Sequence, residues 1–331
     1  MTHAKGWEQM DGMRSEALRP AVPALEVINV HSPRRILVAV DGSASSETLG
    51  PAAVNLARST GSSLILAHVL PANAIESELH HAREQLERIA RFARLQSVVV
   101  STVLLAGDPV EQIVSYTAGN GIGTVALGSH GDWENCGLRG SVADAVVRQS
   151  PVPVLVWRIP LAETLATSIG LRRLLVPLDG SRLAERVAPE ALSLARATGA
   201  RVLLVQAVSP WQHLVDGTAG ELERRELQVA GEYLASVREQ FSHLGVPIDV
   251  TVRLGRPSDV IHWVVQETAA DLVVMATHGR SGLRRERLGS VALDLLQGNA
   301  PLLLHGPGVV ANWGARPPVP LELPARRAMA S

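Results

Sequence analysis

Two stretches of the chain combine small, glycine-rich turns with charged side chains, a combination suited to holding an anion. The second stretch, MATHGRSGLRRERLGSVA (275–292), carries four arginines, with Arg284 near its middle. Glycine lets the backbone approach a phosphate closely, and the N–H groups at a helix start favour an anion. A guanidinium can hold a phosphate through two parallel hydrogen bonds. This stretch therefore predicts a binding site for a nucleoside triphosphate.

The first stretch, LGSHGDWENCGLRGSVA (127–143), repeats the pattern with the opposite charge. It offers Asp132 and Glu134, and only eight residues separate Gly131 from Gly140, one fewer than in the second stretch. Losing one residue changes the span of a tight loop by up to about 3.5 Å, which is comparable with the length of a hydrogen bond. We therefore expect the first stretch to have lost or weakened the triphosphate site.

Both stretches belong to a duplicated unit. Fourteen of 27 positions are identical between RILVAVDGSASSETLGPAAVNLARSTG (35–61) and RLLVPLDGSRLAERVAPEALSLARATG (173–199), at a constant offset of 138. Each copy has an apolar run followed by Asp-Gly-Ser, a turn with helix-capping chemistry. The duplication predicts a mobile amino-terminal tail (1–33), a first domain (34–157), a linker (158–171), a second domain (172–305) and a proline-rich carboxy-terminal tail (306–331).

Each unit alternates short apolar runs with helical patterns. The chain is 46% hydrophobic but only 3% aromatic, so its core must be aliphatic, as in strands covered on both faces. The alternation predicts an α/β fold with two doubly wound, five-stranded parallel sheets of order 3-2-1-4-5 and helices on both faces. In such sheets ligands bind at the carboxyl ends of strands where the order reverses, which brings the Asp-Gly-Ser turn and the glycine stretch to one site.

The composition excludes several classes of protein. The formal charge is −1, so no overall field favours nucleic acid or an anionic membrane. A single cysteine, Cys136, cannot form an intramolecular disulfide and favours a reducing compartment. The amino terminus has no apolar run typical of a signal peptide, and no window is long enough to span a bilayer. We expect a cytoplasmic protein.

Several motifs occur twice and in the same order. They are the strand with Asp-Gly-Ser, Gly-x-Pro, His-Gly, and Gly-Ser-Val. In this order they resemble the universal stress protein family, and the chain looks like a tandem member over about 35–157 and 173–305. The resemblance implies a bound ATP, with an accompanying Mg²⁺ left open. In the second copy it assigns Asp179, Ala207, Met275, Ala276, Gly279, Gly289, Ser290 and Val291, to which the charge of the stretch adds Arg284. The weaker positions of the first copy are Asp41, Val69, Leu127, Gly128, Gly131, Gly140, Ser141 and Val142.

The assigned positions have different roles in this resemblance. Asp179 would approach the sugar and adenine, and Ala207 would offer its backbone to the adenine edge. The glycines and their neighbours would surround the phosphates. Ala276 departs from the family pattern because it stands where the first glycine is expected.

Other candidates for chemistry have simpler interpretations. His130 and His278 precede a glycine at matching places, but neither motif supplies the nucleophile and orienting acid that catalysis needs, which favours turn-capping histidines. Ser43 and Ser181 are interpreted as helix caps rather than nucleophiles.

The sequence thus predicts a tandem universal stress protein acting in stress-response signalling, with ATP mainly in the second domain and a degenerate site in the first. We expect no enzyme beyond weak ATP hydrolysis. Two alternatives remain open: a nucleotide-free scaffold for protein interactions, and a slow ATPase or phosphotransferase. The resemblance further implies an intramolecular pseudo-dimer through the last strand of each copy, whose edges should not stay bare. Protein partners are unidentified, and further association into a homodimer is left open.

Overall fold

The computed structural model describes residues 35–42, 44–129, 142–158, 171–210, 219–278, 288–296, 298 and 300–309. The first half consists of β1 (Arg35–Val40), α1 (Ala44–Thr60), β2 (Ser63–Leu70), α2 (Glu76–Leu95), β3 (Val100–Ala106), α3 (Pro109–Gly119), β4 (Ile122–Ser129), α4 (Val142–Gln149) and β5 (Val154–Arg158). The second half consists of β6 (Arg173–Pro177), α5 (Arg182–Glu185), α6 (Ala188–Thr198), β7 (Arg201–Val208), α7 (Ala219–Gln240), a 3-10 turn (Ser242–Leu244), β8 (Ile248–Leu254), α8 (Pro257–Thr268), β9 (Leu272–Ala276), α9 (Ser290–Leu296) and β10 (Leu302–His305).

All ten strands form one sheet, in the order β3-β2-β1-β4-β5-β10-β9-β6-β7-β8. Within each half the order is 3-2-1-4-5 and the pairs are parallel, which confirms the predicted α/β fold class. The two five-stranded units do not remain separate sheets, because β5 and β10 pair antiparallel with Leu155 opposite Leu303. This junction places the last strand of each copy in the middle of the sheet, as the predicted pseudo-dimer requires.

Aliphatic layers cover both faces of the sheet, and each layer runs through both halves. One layer contains Leu66 of β2 and Leu204 of β7, packed under α1, α2, α6 and α7. The other contains Val125 of β4 and Val273 of β9, packed under α3, α4, α8 and α9. All four of these side chains are almost fully buried, so the strands read as continuous apolar runs.

The helix boundaries follow the residues found there. Helix α3 begins at Pro109 after Asp108, whose carboxylate accepts a hydrogen bond from the Glu111 N–H at 3.0 Å. Helix α8 likewise begins at Pro257. Helix α6 ends at Gly199, whose φ of 71° lies in the left-handed region that favours glycine.

After β10 the chain lies against the first half. A Cβ added to Gly306 would overlap the carbonyl oxygen of Val147 in α4, so backbone meets backbone there. The stretch predicted as a carboxy-terminal tail therefore begins with residues in contact with the first half. The predicted amino-terminal tail, most of the linker and residues 310–331 lie outside the described residues. In the part of the chain that the structure describes, no helix is both long and apolar enough to cross a bilayer.

Candidate functional site

A cavity of about 950 Å³ opens at the carboxyl ends of β6, β7 and β9 in the second half. β6 and β9 are neighbours at the point where the strand order reverses, the usual ligand position in such sheets. Seven of the nine residues predicted for this half line the cavity: Asp179, Ala207, Met275, Ala276, Gly289, Ser290 and Val291. The other two, Gly279 and Arg284, lie outside the described residues.

The Asp-Gly-Ser turn after β6 forms one wall. Gly180 has a φ of 80°, which a side chain would strain. The Asp179 carboxylate accepts a hydrogen bond from the Ser181 N–H at 3.0 Å, and the Ser181 hydroxyl accepts one from the Ala184 N–H at 3.2 Å. Ser181 therefore caps α5, as the sequence predicts. The capping holds the Asp179 side chain at the mouth of the cavity.

The base of the glycine stretch forms the opposite wall. The Gly289 N–H donates to the carbonyl of Thr277 at 2.8 Å, and the Thr277 N–H donates to the carbonyl of His305 at 3.0 Å. A Cβ on Gly289 would overlap the Thr277 carbonyl oxygen. The stretch is therefore closed at its base by a backbone contact that leaves no room for a side chain.

His278 stands beside this closure and also lines the cavity. Its Nδ1 lies 3.0 Å from the Thr277 hydroxyl, which in turn lies 3.3 Å from the carbonyl oxygen of His305. The imidazole is thus held against the side chain of the residue before it.

Two polar residues of the cavity were not singled out from the sequence. Gln206 lies on β7 and is only 4% exposed, and Glu226 faces it from α7. Gln206 could have been found, because the offset of 138 pairs it with His68, so both copies carry a polar residue within an apolar strand. Glu226 lies in the long helix of the unit, where a polar pattern is typical of a solvated face and gives no such signal.

An acidic group lies just behind the Asp179 turn. The Tyr233 hydroxyl donates to Glu185 at 3.1 Å. Burial has the largest effect and raises the pKa of Glu185 above its ordinary value. The hydrogen bond from Tyr233 and the charge of Arg182 oppose this rise, and the nearby charge of Asp179 adds to it. This pair links α7 to α5 beneath the turn.

Two buried polar side chains lie beside the corresponding turn of the first half. His68 of β2 and Gln85 of α2 are both buried, and the His68 Nδ1 lies 3.3 Å from the Gln85 Oε1. A Cβ on Gly42 would lie 3.7 Å from the His68 ring and 3.9 Å from that oxygen, so the pair lies beside the first Asp-Gly turn. Burial has the largest effect and lowers the pKa of His68 below its ordinary value. The bond to Gln85 and the charge of Asp41 oppose this shift, and the charge of His81 adds to it.

Five positions predicted for the first half are described. Asp41 follows β1, Val69 lies in β2, Leu127 and Gly128 lie in β4, and Val142 begins α4. The remaining three, Gly131, Gly140 and Ser141, fall outside the described residues, as does His130. Within the described ranges no group of three or more His, Cys, Asp or Glu side chains is arranged to hold a metal ion.

Comparison with known proteins finds one family in both halves of the chain. A model of the universal stress protein family matches residues 33–158 and again residues 170–303. A universal stress protein of Methanocaldococcus jannaschii is 32% identical over 137 residues, which cover 40% of this chain and 81% of that protein. One from Mycobacterium tuberculosis is 32% identical over 202 residues, which cover 60% of this chain and 65% of that protein.

The fold comparison extends over both halves. The crystal structure of a universal stress protein from Archaeoglobus fulgidus matches 84% of this chain and 98% of its own, with a TM-score of 0.64 and 20% sequence identity. At that identity the likeness concerns the fold. It includes both halves of the ten-stranded sheet in a single alignment.

Proposed function

This chain belongs to the universal stress protein family as a tandem member, and from that premise we propose that its second half binds ATP in the cavity between β6, β7 and β9. The observation that carries the proposal is that one cavity brings together seven of the residues that the family resemblance assigns. A volume of about 950 Å³ is large enough for a nucleotide, since pockets for small ligands run from roughly 300 to 1,000 Å³.

The chemistry of the walls suits the two ends of a nucleotide. Asp179 offers a carboxylate to the sugar hydroxyls, and Ala207 offers strand backbone to the base. On the other side, Gly289 and Ser290 follow a stretch that contains Arg284 and three further arginines against one glutamate. These guanidinium groups would neutralise the phosphates.

The first half is proposed to bind the nucleotide weakly or not at all. Its loop is acidic and one residue shorter. The buried His68–Gln85 pair lies beside Gly42, where the second half has Gln206 at an open cavity. The two halves would thus share a fold and differ in ligand occupancy.

We propose a binding module of stress-response signalling in the cytoplasm, with no catalysis beyond slow hydrolysis. Occupancy by ATP would alter the surface around the glycine stretch and its contacts with protein partners, which requires different ATP affinities for the two states. Denaturing freshly purified protein and assaying the released nucleotide separates the candidates. ATP supports the binding module, ADP alone supports turnover, and no nucleotide supports an interaction scaffold.

A charge substitution tests the location of the site. Ser290 is exposed at the first position of α9, where a carboxylate does not harm the helix but repels a phosphate. We expect Ser290→Asp to abolish ATP binding in calorimetric titration of the full chain. The matched variant Ser141→Asp in the first half is expected to bind like the wild type. Binding that survives Ser290→Asp and disappears in Ser141→Asp would reverse the assignment of the two halves.

A further inference from the structure

Gln206 is a polar side chain in an otherwise apolar strand, at the inner wall of the cavity. Its neighbours on β7, Val205 and Ala207, are apolar, and Gln206 itself is 4% exposed. A glutamine at such a depth normally has its hydrogen bonds satisfied within the protein.

The Gln206 side-chain oxygen, Oε1, has no hydrogen-bond partner among the described residues. The helix that faces it, α7, presents Val229, Ala230 and Glu226 to the same cavity. The first two side chains carry no polar group, and Glu226 makes no hydrogen bond to that oxygen. These side chains therefore supply no donor to the buried acceptor of a residue that lines the cavity.

In the first half the matching position has a side-chain partner on the long helix. There His68 occupies the matching place on β2, and its Nδ1 lies 3.3 Å from the Oε1 of Gln85, a buried residue of α2. Because that oxygen can only accept, the imidazole donates. The polar residue of β2 therefore has a side-chain partner, whereas Gln206 lines a cavity with its acceptor unused.

We propose that Gln206 is a specificity-determining residue, whose Oε1 accepts a hydrogen bond from an amine or hydroxyl group on the nucleoside part of the ligand. This inference rests on the proposed function and adds to it the side chain that recognises the nucleoside. Phosphate oxygens are acceptors, so the donor belongs to the base or the sugar. Without such a donor, Gln206 would stay buried and unsatisfied in the bound state.

The test is a double cycle of ligand and protein changes on the full chain. Wild type and Gln206→Met are titrated with ATP, with the analogue lacking the 6-amino group, and with the 2′-deoxy and 3′-deoxy analogues. Methionine keeps the length of the side chain and removes its acceptor. We expect Gln206→Met to bind ATP about 3- to 10-fold more weakly, the usual effect of one neutral hydrogen bond.

The analogues identify the donor. In the wild type, the analogue without the donor group should lose a similar factor, and that loss should vanish in Gln206→Met. A loss confined to the 6-deamino analogue assigns the base, and a loss confined to a deoxy analogue assigns the sugar. An analogue penalty of equal size in both proteins, or unchanged ATP affinity in Gln206→Met, overturns the inference while leaving ATP binding intact.

Stability measurements supply a control that does not depend on the ligand. Without nucleotide, Gln206→Met should match or exceed the wild type in urea midpoint, because no internal hydrogen bond is lost. His68→Met, the matched variant, should lower the midpoint by leaving Gln85 without its donor, and should leave ATP affinity unchanged. A fall in midpoint for Gln206→Met like that of His68→Met would show an internal partner and refute the inference.

Two further outcomes complete the design. If Gln206→Met does not fold, the same cycle is run with Gln206→Leu, which matches the aliphatic residues of the strand. If the wild type binds neither ATP nor any analogue, the proposed function fails and the inference fails with it.

Discussion

The contact between Gly289 and Thr277 makes Gly289→Ala a sharp test of the site. A methyl group there would overlap the Thr277 carbonyl oxygen and lie 3.5 Å from its carbon and 3.8 Å from the Cα of His278. Thr277 cannot retreat easily, because it is 2% exposed and its own N–H is bonded to His305 at 3.0 Å. The base of the glycine stretch must move instead.

The magnitude follows from two effects. Displacing the Gly289 N–H from its 2.8 Å contact costs about 0.5–1.5 kcal/mol, the usual contribution of a backbone hydrogen bond. Forcing a packed backbone to shift for an extra methyl costs about 1–3 kcal/mol. We expect Gly289→Ala to lower the free energy of unfolding by about 2–4 kcal/mol. Because domains are stable by about 5–15 kcal/mol, the variant should still fold.

The assay is urea denaturation of the full chain, with and without saturating ATP. At 100 times its dissociation constant, ATP adds about 2.7 kcal/mol to the stability of a chain that binds it. We expect Gly289→Ala to be less stable than the wild type without ATP. It should also lose most of the stabilisation that ATP provides, since the same backbone borders the cavity.

The matched control is Gly231→Ala. Gly231 lies inside α7, and nothing lies within 4 Å of where its Cβ would be. Helix propensity predicts that this change stabilises the protein by up to about 1 kcal/mol. If Gly289→Ala proved as stable as the wild type, or gained stability as Gly231→Ala should, the reasoning about the closed base of the stretch would be refuted.

Three further outcomes are expected. Gly306→Ala should lower the calorimetric melting temperature and reduce the free energy of unfolding by about 1–3 kcal/mol. Its methyl group would collide with the Val147 carbonyl at the junction of the halves. An unchanged melting temperature would contradict that packing. Since burial lowers the pKa of His68, the unfolded chain binds a proton that the folded chain rejects, so stability should fall as the pH drops below about 6.5. Urea midpoints at pH 7.5 and 5.5 should therefore differ less in His68→Gln than in the wild type, and an equal difference in both would exclude His68 as the source. Tyr233→Phe should lower the free energy of unfolding by about 1–3 kcal/mol at pH 7.5, because Glu185 loses its hydrogen-bond donor. The loss should be smaller at pH 4.5, where a protonated Glu185 no longer needs that donor. A loss independent of pH would point to packing alone.

Because the two halves share one sheet, the experiments use the full chain and not isolated halves. Each apolar layer runs through both halves, and β5 pairs with β10 in the middle of the sheet. Cutting the chain would expose the edges of these two strands, together with the surface around Gly306. Matched substitutions in the full chain, such as Ser290→Asp against Ser141→Asp, avoid that exposure.

Much of the site could be predicted because its determinants are local. A glycine after a strand, a serine that caps a helix and a proline in a first turn are features of a few adjacent residues. Gly180, Ser181 and Pro257 all behave accordingly in the structure. The repeat then placed Asp179 and Gly289 at strand ends that a doubly wound sheet brings together.

By itself, the sequence determined the duplication, the α/β units and the residues of their turns, since periodicity and turn chemistry are properties of short segments. Seven of the residues that line the cavity were assigned from the resemblance to a family. Only the tertiary structure decided which side chains meet the polar residue on the second strand of each copy. Those outcomes depend on side chains brought over the sheet by distant helices, as Gln85 reaches His68 in one half while Val229 and Ala230 leave Gln206 without a donor in the other. Such contacts are set by packing at the particular place, and two copies of one pattern can therefore meet different neighbours.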